Sequence, residues 1–393
     1  MKQLRTQTWV MCLSIMLILV LCVTAMRPVV VTASDSTDTQ MFIDAARSFA
    51  EQAEAARGHH LTKDPVMTIM SKQVQAGKME VVMEIDEMSV LNSGPRDAEP
   101  VLAGKLQYLQ DHGAALSVTA KKAVEDDIAD WRSTIESAMT VPTESTDMIK
   151  IVADVDLAGT VDTNTLQVYV DDGIVGSHYT SAAQSLKDMR SAWATVAEAY
   201  DSSASLVADV SAKSSIAPAV VSSSYSPTLA YQYADVWAKE TTSLCSDGTR
   251  ENTANWNNVQ YPLYGQQVQC NDCADFVSQC LHAGNIPMTS AWNYSGASPT
   301  LDWCKVGSLQ YYLLHNGYIT YNVPRLSCMC GDPFFFEDED QYGQPNGVLS
   351  HAVFMVYDDG KDTYYDAHTN DRHRLHWDGT LGGYVYHYAH VIY

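Results

Sequence analysis

Apolar side chains between residues 41 and 57 return at helical spacing. Phe42, Ala45, Phe49 and Ala53 share one face, which predicts an amphipathic helix over Met41–Arg57. Val81, Met83 and Ile85 then alternate with Glu84 and Asp86, the period of a half-buried strand. Ala115 to Met139 reads as a helix with Trp131 and Ile135 on its apolar side. Ile149, Ile151, Ala153, Val155 and Leu157 alternate again, and Leu166, Val168 and Val170 answer them across a polar turn, predicting an antiparallel pair. Helices before and between strands make residues 34–200 an α+β domain. It carries no cysteine and no chemical motif, so a prosegment, a wall-docking module and a scaffold all stay open as its role.

From Asp201 the chain turns to Ser, Ala and Val with little charge, a linker over residues 201–225. Ser226-Pro227 has the form of an N-cap followed by proline at the first helical position, with Leu229, Tyr233, Val236 and Trp237 on one face behind it. A second helix opens at Cys273 and buries Phe276, Val277, Cys280 and Leu281; Gly284 and Pro287 close it. A third presents Val306, Leu309, Tyr312 and Leu313. Strands are expected at residues 348–357, 363–367 and 384–393. Residues 226–393 are therefore a domain in which a cysteine-bearing helix packs on an antiparallel sheet assembled later in the chain. The fold class is α+β, a papain-like C-terminal domain preceded by a separate α+β domain.

Charge and cysteine usage narrow the setting. Lys+Arg 24 against Asp+Glu 47 gives a net charge of −23, which argues against nucleic acid and anionic membrane surfaces as partners. Lys2 and Arg5 precede an apolar stretch from Trp9 to Met26, then Pro28 and the small-residue site Val31-Thr32-Ala33. Residues 1–33 thus read as a secretory signal cut after Ala33, with membrane attachment only if it stays uncut. The chain is expected to be a secreted or wall-associated monomer. Of nine cysteines, Cys12 and Cys22 lie in the signal and the other seven fall between Cys245 and Cys330. An odd set in an exported chain suggests up to three disulfides with Cys273 left over, Cys280 being the alternative buried thiol.

Cys273 sits in a helical first turn, where unpaired N–H groups and the helix dipole favour a thiolate. His351 begins one strand and His368 ends the next. On antiparallel neighbours those positions lie side by side, so His351 is expected as the base and His368 as its orienter. Asn370 and Asp371 are the competing third members. The backbone N–H of Cys273 is the expected oxyanion donor. Asp272, Trp292 and Trp303 are assigned to the substrate groove, with core packing as the other role for the aromatics. Cys270-x-x-Cys273 and Cys328-x-Cys330 with His368, His373 and His376 would be a zinc set. Their spacing is wrong for a common knuckle and export favours disulfides, so no metal and no cofactor are expected. A non-catalytic wall-binding module is the remaining alternative.

The run Asp272-Cys273-Ala274-Asp275-Phe276-Val277-Ser278-Gln279-Cys280-Leu281, with Ala283-Gly284 and Ile286-Pro287, resembles the signature of the amidase domain of bacterial exported proteins. Trp303, Gly331-Asp332-Pro333, Ser350-His351-Ala352-Val353 and Ala367-His368-Thr369 match in the same order, so the resemblance spans roughly Ser226 to Tyr393. That family is similar to NlpC-type and CHAP cysteine peptidases. The resemblance implies a papain-like fold, a Cys273 nucleophile, a His351 base, a polar third member at or near His368, and cleavage of amide bonds in cell-wall peptides. Cys328-Met329-Cys330 and the acidic run Glu337-Asp338-Glu339-Asp340 depart from the family pattern; the acidic run is expected as an insertion that reshapes the groove.

Overall fold

The structure, a computed structural model, describes residues 36–171, 179–191, 225–239, 255–257, 259–261, 271–295, 298–340, 342, 344–377 and 384–392. The signal-like stretch 1–33, nearly all of the linker, Cys245 and Cys270 lie outside them. Among the described residues no helix is long and apolar enough to cross a membrane.

The N-terminal half is built on helix α1 (Ser36–Arg57), which lays Phe42, Ala46, Phe49, Ala50 and Ala53 over a sheet face of Met79, Val81, Met83, Ile85, Ile149 and Ile151. Gly58 at φ 87° ends the helix, a left-handed conformation that glycine adopts without steric cost. Strands β1 (His59–Leu61), β2 (Val66–Gln75), β3 (Lys78–Leu91), β4 (Thr143–Asp154), β5 (Gln167–Asp171) and β6 (Tyr179–Ser181) form this part of the sheet. The expected antiparallel pair is present, with Ile149 opposite Val170 and Ile151 opposite Val168. The strand stops at Asp154, however, and Leu157 lies fully exposed. Between β3 and β4 run α2 (Pro100–His112) and α3 (Val118–Ala138), which close a smaller core through Val101, Leu102, Val124, Trp131 and Ile135. Helix α4 (Ala182–Ser191) follows β6.

The C-terminal half begins with α5 (Pro227–Trp237), where Ser226 Oγ accepts from the Leu229 N–H at 3.3 Å. Its buried face is Ala230 and Ala234, with Leu229 and Val236 largely exposed. Of the expected face, Tyr233 and Trp237 pack half-buried against the core of the next helix, beside these alanines. That helix is α6 (Cys273–Ala283), followed after a short two-stranded ribbon, β7 (Tyr294–Ser295) and β8 (Ser298–Pro299), by α7 (Leu301–Cys304) and α8 (Val306–His315). Strands β9 (Ile319–Tyr321), β10 (Pro333–Glu339), β11 (Pro345–Asp358), β12 (Thr363–Ala367), β13 (Arg372–His376) and β14 (Tyr384–Val391) complete the sheet. The acidic run is not an insertion in the groove. Glu337 to Glu339 are the end of β10, and Glu337 accepts from His387 Nε2 at 2.8 Å.

The two halves share one sheet. Its strand order is β1-β3-β4-β13-β12-β11-β10-β14-β9, and the join is a parallel contact of β13 on β4 at Leu375 opposite Thr146. Neighbouring C-terminal strands are antiparallel, so the class is α+β as expected. Alternate residues of β11 face opposite layers. Ala352, Phe354 and Val356 join the core around α6, whereas Val353 and Met355 join a second core with Phe334, Phe336, Tyr365 and Trp377.

Candidate active site

Cys273 is the first residue of α6 and is buried to 7 % exposure, within the core that α6 builds with α5, α8 and β11. The residue before it, Asp272, has the chemistry of an N-cap, yet its side chain caps nothing. Its Oδ2 takes the Nδ1 of His368 instead, at 2.9 Å. The helix end is served from outside by Thr369, whose Oγ1 accepts from the backbone N–H of Asp272 at 2.9 Å and of Cys273 at 3.1 Å. The Cys273 N–H expected as an oxyanion donor is thus engaged by Thr369, and an incoming oxyanion has to displace that hydroxyl.

His368 is fixed on three sides. Its ring stacks on Phe276, one turn into α6, with centroids 4.2 Å apart. Its Nε2 lies 3.1 Å from the Trp237 carbonyl at the end of α5. A carboxylate and a carbonyl both accept, so making both bonds takes the doubly protonated ring. The turn that delivers it is strained: Thr369 has φ 61° and Asn370 φ 84°. A β-branched residue in the left-handed region costs about 1–3 kcal/mol and persists only where its surroundings fix it. Here the two bonds to the tip of α6 do so.

His351 is not at this tip. Phe354 pairs with Asp366, and continuing that register sets His368 beside Ala352, one residue away from the juxtaposition expected of His351. A one-residue offset turns a side chain to the other face of a sheet. His351 lies opposite Phe336, with the two rings 5.9 Å apart, in the layer away from Cys273. It is fully buried and neither ring nitrogen has a hydrogen-bond partner. Burial, and then Arg372, push its pKa down to about 3. Of the alternative third members, Asp371 takes the Asn255 amide at 2.7 Å, and Asn370 is buried in the turn.

The groove aromatics are core residues. Trp292 and Trp303 are both 0 % exposed, with ring centroids 4.7 Å apart. Trp292 Nε1 donates to Ser278 Oγ at 3.0 Å, which donates to the Trp303 carbonyl at 2.7 Å. Trp303 Nε1 donates to Asp275, which also accepts from Gln279 at 2.8 Å. Tyr233 donates to Gln279 Oε1 at 2.6 Å and accepts from Asn257 at 3.0 Å. This chain of polar groups ties α6 to the segments around it. Burial raises Asp275 to about 7. A cleft of about 1040 Å³ lies between α3, α5 and β11 and is lined by Trp131, Asp235, Cys330 and Arg374, away from Cys273.

The expected disulfides are not formed among the described residues: Cys273, Cys280, Cys304, Cys328 and Cys330 make no bridge with one another. Cys280 is the plain buried thiol of the alternative reading. The cysteine–histidine zinc set finds no counterpart either, since the groups close enough to share an ion among the described residues contain acids and His373 or His376 but no cysteine.

Asp272 as the partner of His368, and Thr369 as the helix cap, were not foreseen from the sequence. The available signal was an aspartate at a cap position directly before the cysteine.

Residues 224–393 match the family model described as "Putative amidase domain". That span contains every residue of the site described above. No curated protein and no solved structure matches the chain.

Proposed function

Taking the amidase-family match of residues 224–393 as the premise, we propose that this chain is an exported cysteine amidohydrolase that cleaves amide bonds in cell-wall peptides. The observation that carries the reading is Cys273 at the N-terminus of a buried helix, with the His368 imidazole anchored to the adjacent Asp272. The helix dipole and the first-turn amides favour a thiolate, and a protonated ring held at the same tip complements its charge. The sulfur attacks the carbonyl carbon, and His368, its Nε2 turned from the Trp237 carbonyl to the substrate, protonates the leaving nitrogen as the C–N bond breaks. The neutral ring then takes a proton from water, whose oxygen attacks the thioester, and the C–S bond breaks to release the acid. The basic, apolar and small-residue order of residues 1–33 supports export, and the net charge of −23 suits a peptide substrate better than nucleic acid.

A second reading takes His351 as the base. The bare ring nitrogens favour it, since a base needs a free lone pair, and its placement on the far side of the sheet opposes it. The test is incubation with purified peptidoglycan and mass spectrometry of released fragments, in wild type and in Cys273→Ala, His368→Ala and His351→Leu. The proposal expects release by wild type and by His351→Leu, and none by the other two. Release by Cys273→Ala would remove the nucleophile assignment; loss in folded His351→Leu would transfer the base role to that residue.

A further inference from the structure

Both ring nitrogens of His368 are taken, Nδ1 by Asp272 and Nε2 by the Trp237 carbonyl. Turnover needs Nε2 to leave that carbonyl, so whatever fixes the end of α5 sets how often the imidazole is available. Two ties fix it. Asp235, in the last turn of α5, accepts a fork from Arg374 of β13: Nε donates to Oδ1 at 2.7 Å and Nη2 to Oδ2 at 2.8 Å. Just beyond the helix, the Lys239 carbonyl accepts from Asn255 Nδ2 at 3.0 Å, and the same amide donates to Asp371, three residues past His368, at 2.7 Å. Arg374 is itself held from the other half of the molecule, since its Nη1 donates to the Glu144 carbonyl on β4 at 3.2 Å. Its backbone lies at φ 48°, uncommon for a residue with a side chain, and its N–H donates to Asp366 Oδ1 at 2.6 Å.

We propose that the Asp235–Arg374 pair is an inhibitory latch: anchored on the N-terminal half through Glu144, it holds the end of α5 against His368 and keeps the amidase half closed.

The inference rests on the reading of Cys273 and His368 given above, and three features carry it. The bond that must break is a hydrogen bond from a charged ring, which shifts an equilibrium on the order of 10–100-fold. The open fraction is correspondingly small, and turnover scales with it. The path is short: Trp237 follows Asp235 by two residues, less than one helical turn, so the carbonyl goes where Asp235 goes. The latch is also able to part without opening a core. Its side chains are 19 % and 22 % exposed along the cleft between α3, α5 and β11, and the buried face of α5 is only Ala230 and Ala234. A pair that merely stabilised the site would, on removal, let the histidine wander and lower the rate. A latch predicts the opposite sign. It also gives the N-terminal half a part in the chemistry, although none of the site residues lies in it.

The test uses the full chain and two readouts, one of them independent of any substrate. The first is the rate at which iodoacetamide alkylates Cys273, followed by peptide mass spectrometry; the second is the initial rate of fragment release from peptidoglycan. Asp235→Ala is expected to raise both about tenfold or more. Asp235→Asn keeps Oδ1 as an acceptor, and so one arm of the fork, and should fall between it and wild type. Arg374→Gly removes the guanidinium and suits φ 48°; it should match Asp235→Ala, and it decides the matter if that variant does not fold. Alkylation and release that stay at or below the wild-type rates in the folded variants would overturn the latch, and fragment release by wild type would then leave the cysteine reading standing. Faster alkylation with no fragments from any of the proteins would uphold the latch and remove the peptidoglycan reading instead.

Discussion

His351 offers the sharpest test of the arrangement, because its burial predicts both a stability effect and the absence of a catalytic one. Replacing it with leucine keeps the volume and removes two ring nitrogens that have no partner. Leaving such polar atoms buried costs about 1–3 kcal/mol, so the variant should equal or exceed wild type in stability at pH 8. The larger effect appears in acid. The folded pKa is depressed from 6.5 to about 3, by burial first and by Arg372 second. Between those values the unfolded chain takes up a proton that the folded chain refuses, so wild type loses stability as pH falls. Each unit is worth about 1.4 kcal/mol, so the gap between variant and wild type should widen by about 2 kcal/mol at pH 5 and approach about 5 kcal/mol near pH 3. Urea titrations followed by tryptophan fluorescence at pH 8, 6, 5 and 4 measure it, and the difference at each pH cancels groups common to both proteins. A gap constant from pH 8 to 4 would show that the ring is hydrated or paired. Loss of hydrolysis at pH 7 in the folded variant would show that it reaches the thiol.

Other outcomes follow from the same geometry. Asp272→Asn deprives His368 of its carboxylate partner and should lower kcat/KM on the order of 100-fold or more with little change in melting temperature, measured by product release. Thr369→Val removes the acceptor of two buried N–H groups and should cost about 2 kcal/mol or more in urea unfolding. Trp292→Phe loses the bond to Ser278 and should cost about 1 kcal/mol while leaving KM unchanged; a raised KM would return that ring to the groove. Asp275 has the opposite pH sign to His351. Its folded pKa is raised from 3.8 to about 7, chiefly by burial, so the folded chain keeps a proton that the unfolded chain has released, and stability is lost as pH rises through that window. Wild type compared with Asp275→Asn should accordingly lose about 1.4 kcal/mol per unit between pH 4 and 7, read from urea midpoints, with no further change above.

Much of the fold was legible because burial writes itself into period. The α1 stripe has one face in a core and one outside it, so spacing identifies it, whereas β12 and the Cys273 helix are buried nearly all round and were legible from their apolar residues. Strands β2 and β13 escaped because their side chains are exposed or charged, as in Arg372-His373-Arg374. Helix α2 escaped because a glycine and a lysine sit among its buried positions. The cysteine at the helix tip was readable from local chemistry alone, since a cap residue, a cysteine and an apolar run are contiguous. The identity of the facing imidazole was not. It depends on whether His351 or Ala352 stands beside His368, a difference of one residue in register that no strand pattern of Val, Phe and Met can fix. Trp292 and Trp303 left both roles open for a related reason: an indole suits a substrate shelf and a sealed interior equally well, and only the partners of its N–H tell them apart.

The contact of β13 with β4 has a practical corollary for anyone dividing this chain. The amidase match starts at residue 224, yet a fragment cut there would keep β13 and discard the strand that shields it. Its freed ladder of amides and carbonyls would invite a neighbouring fragment to dock, so such a truncate should associate or precipitate where the intact polypeptide does not.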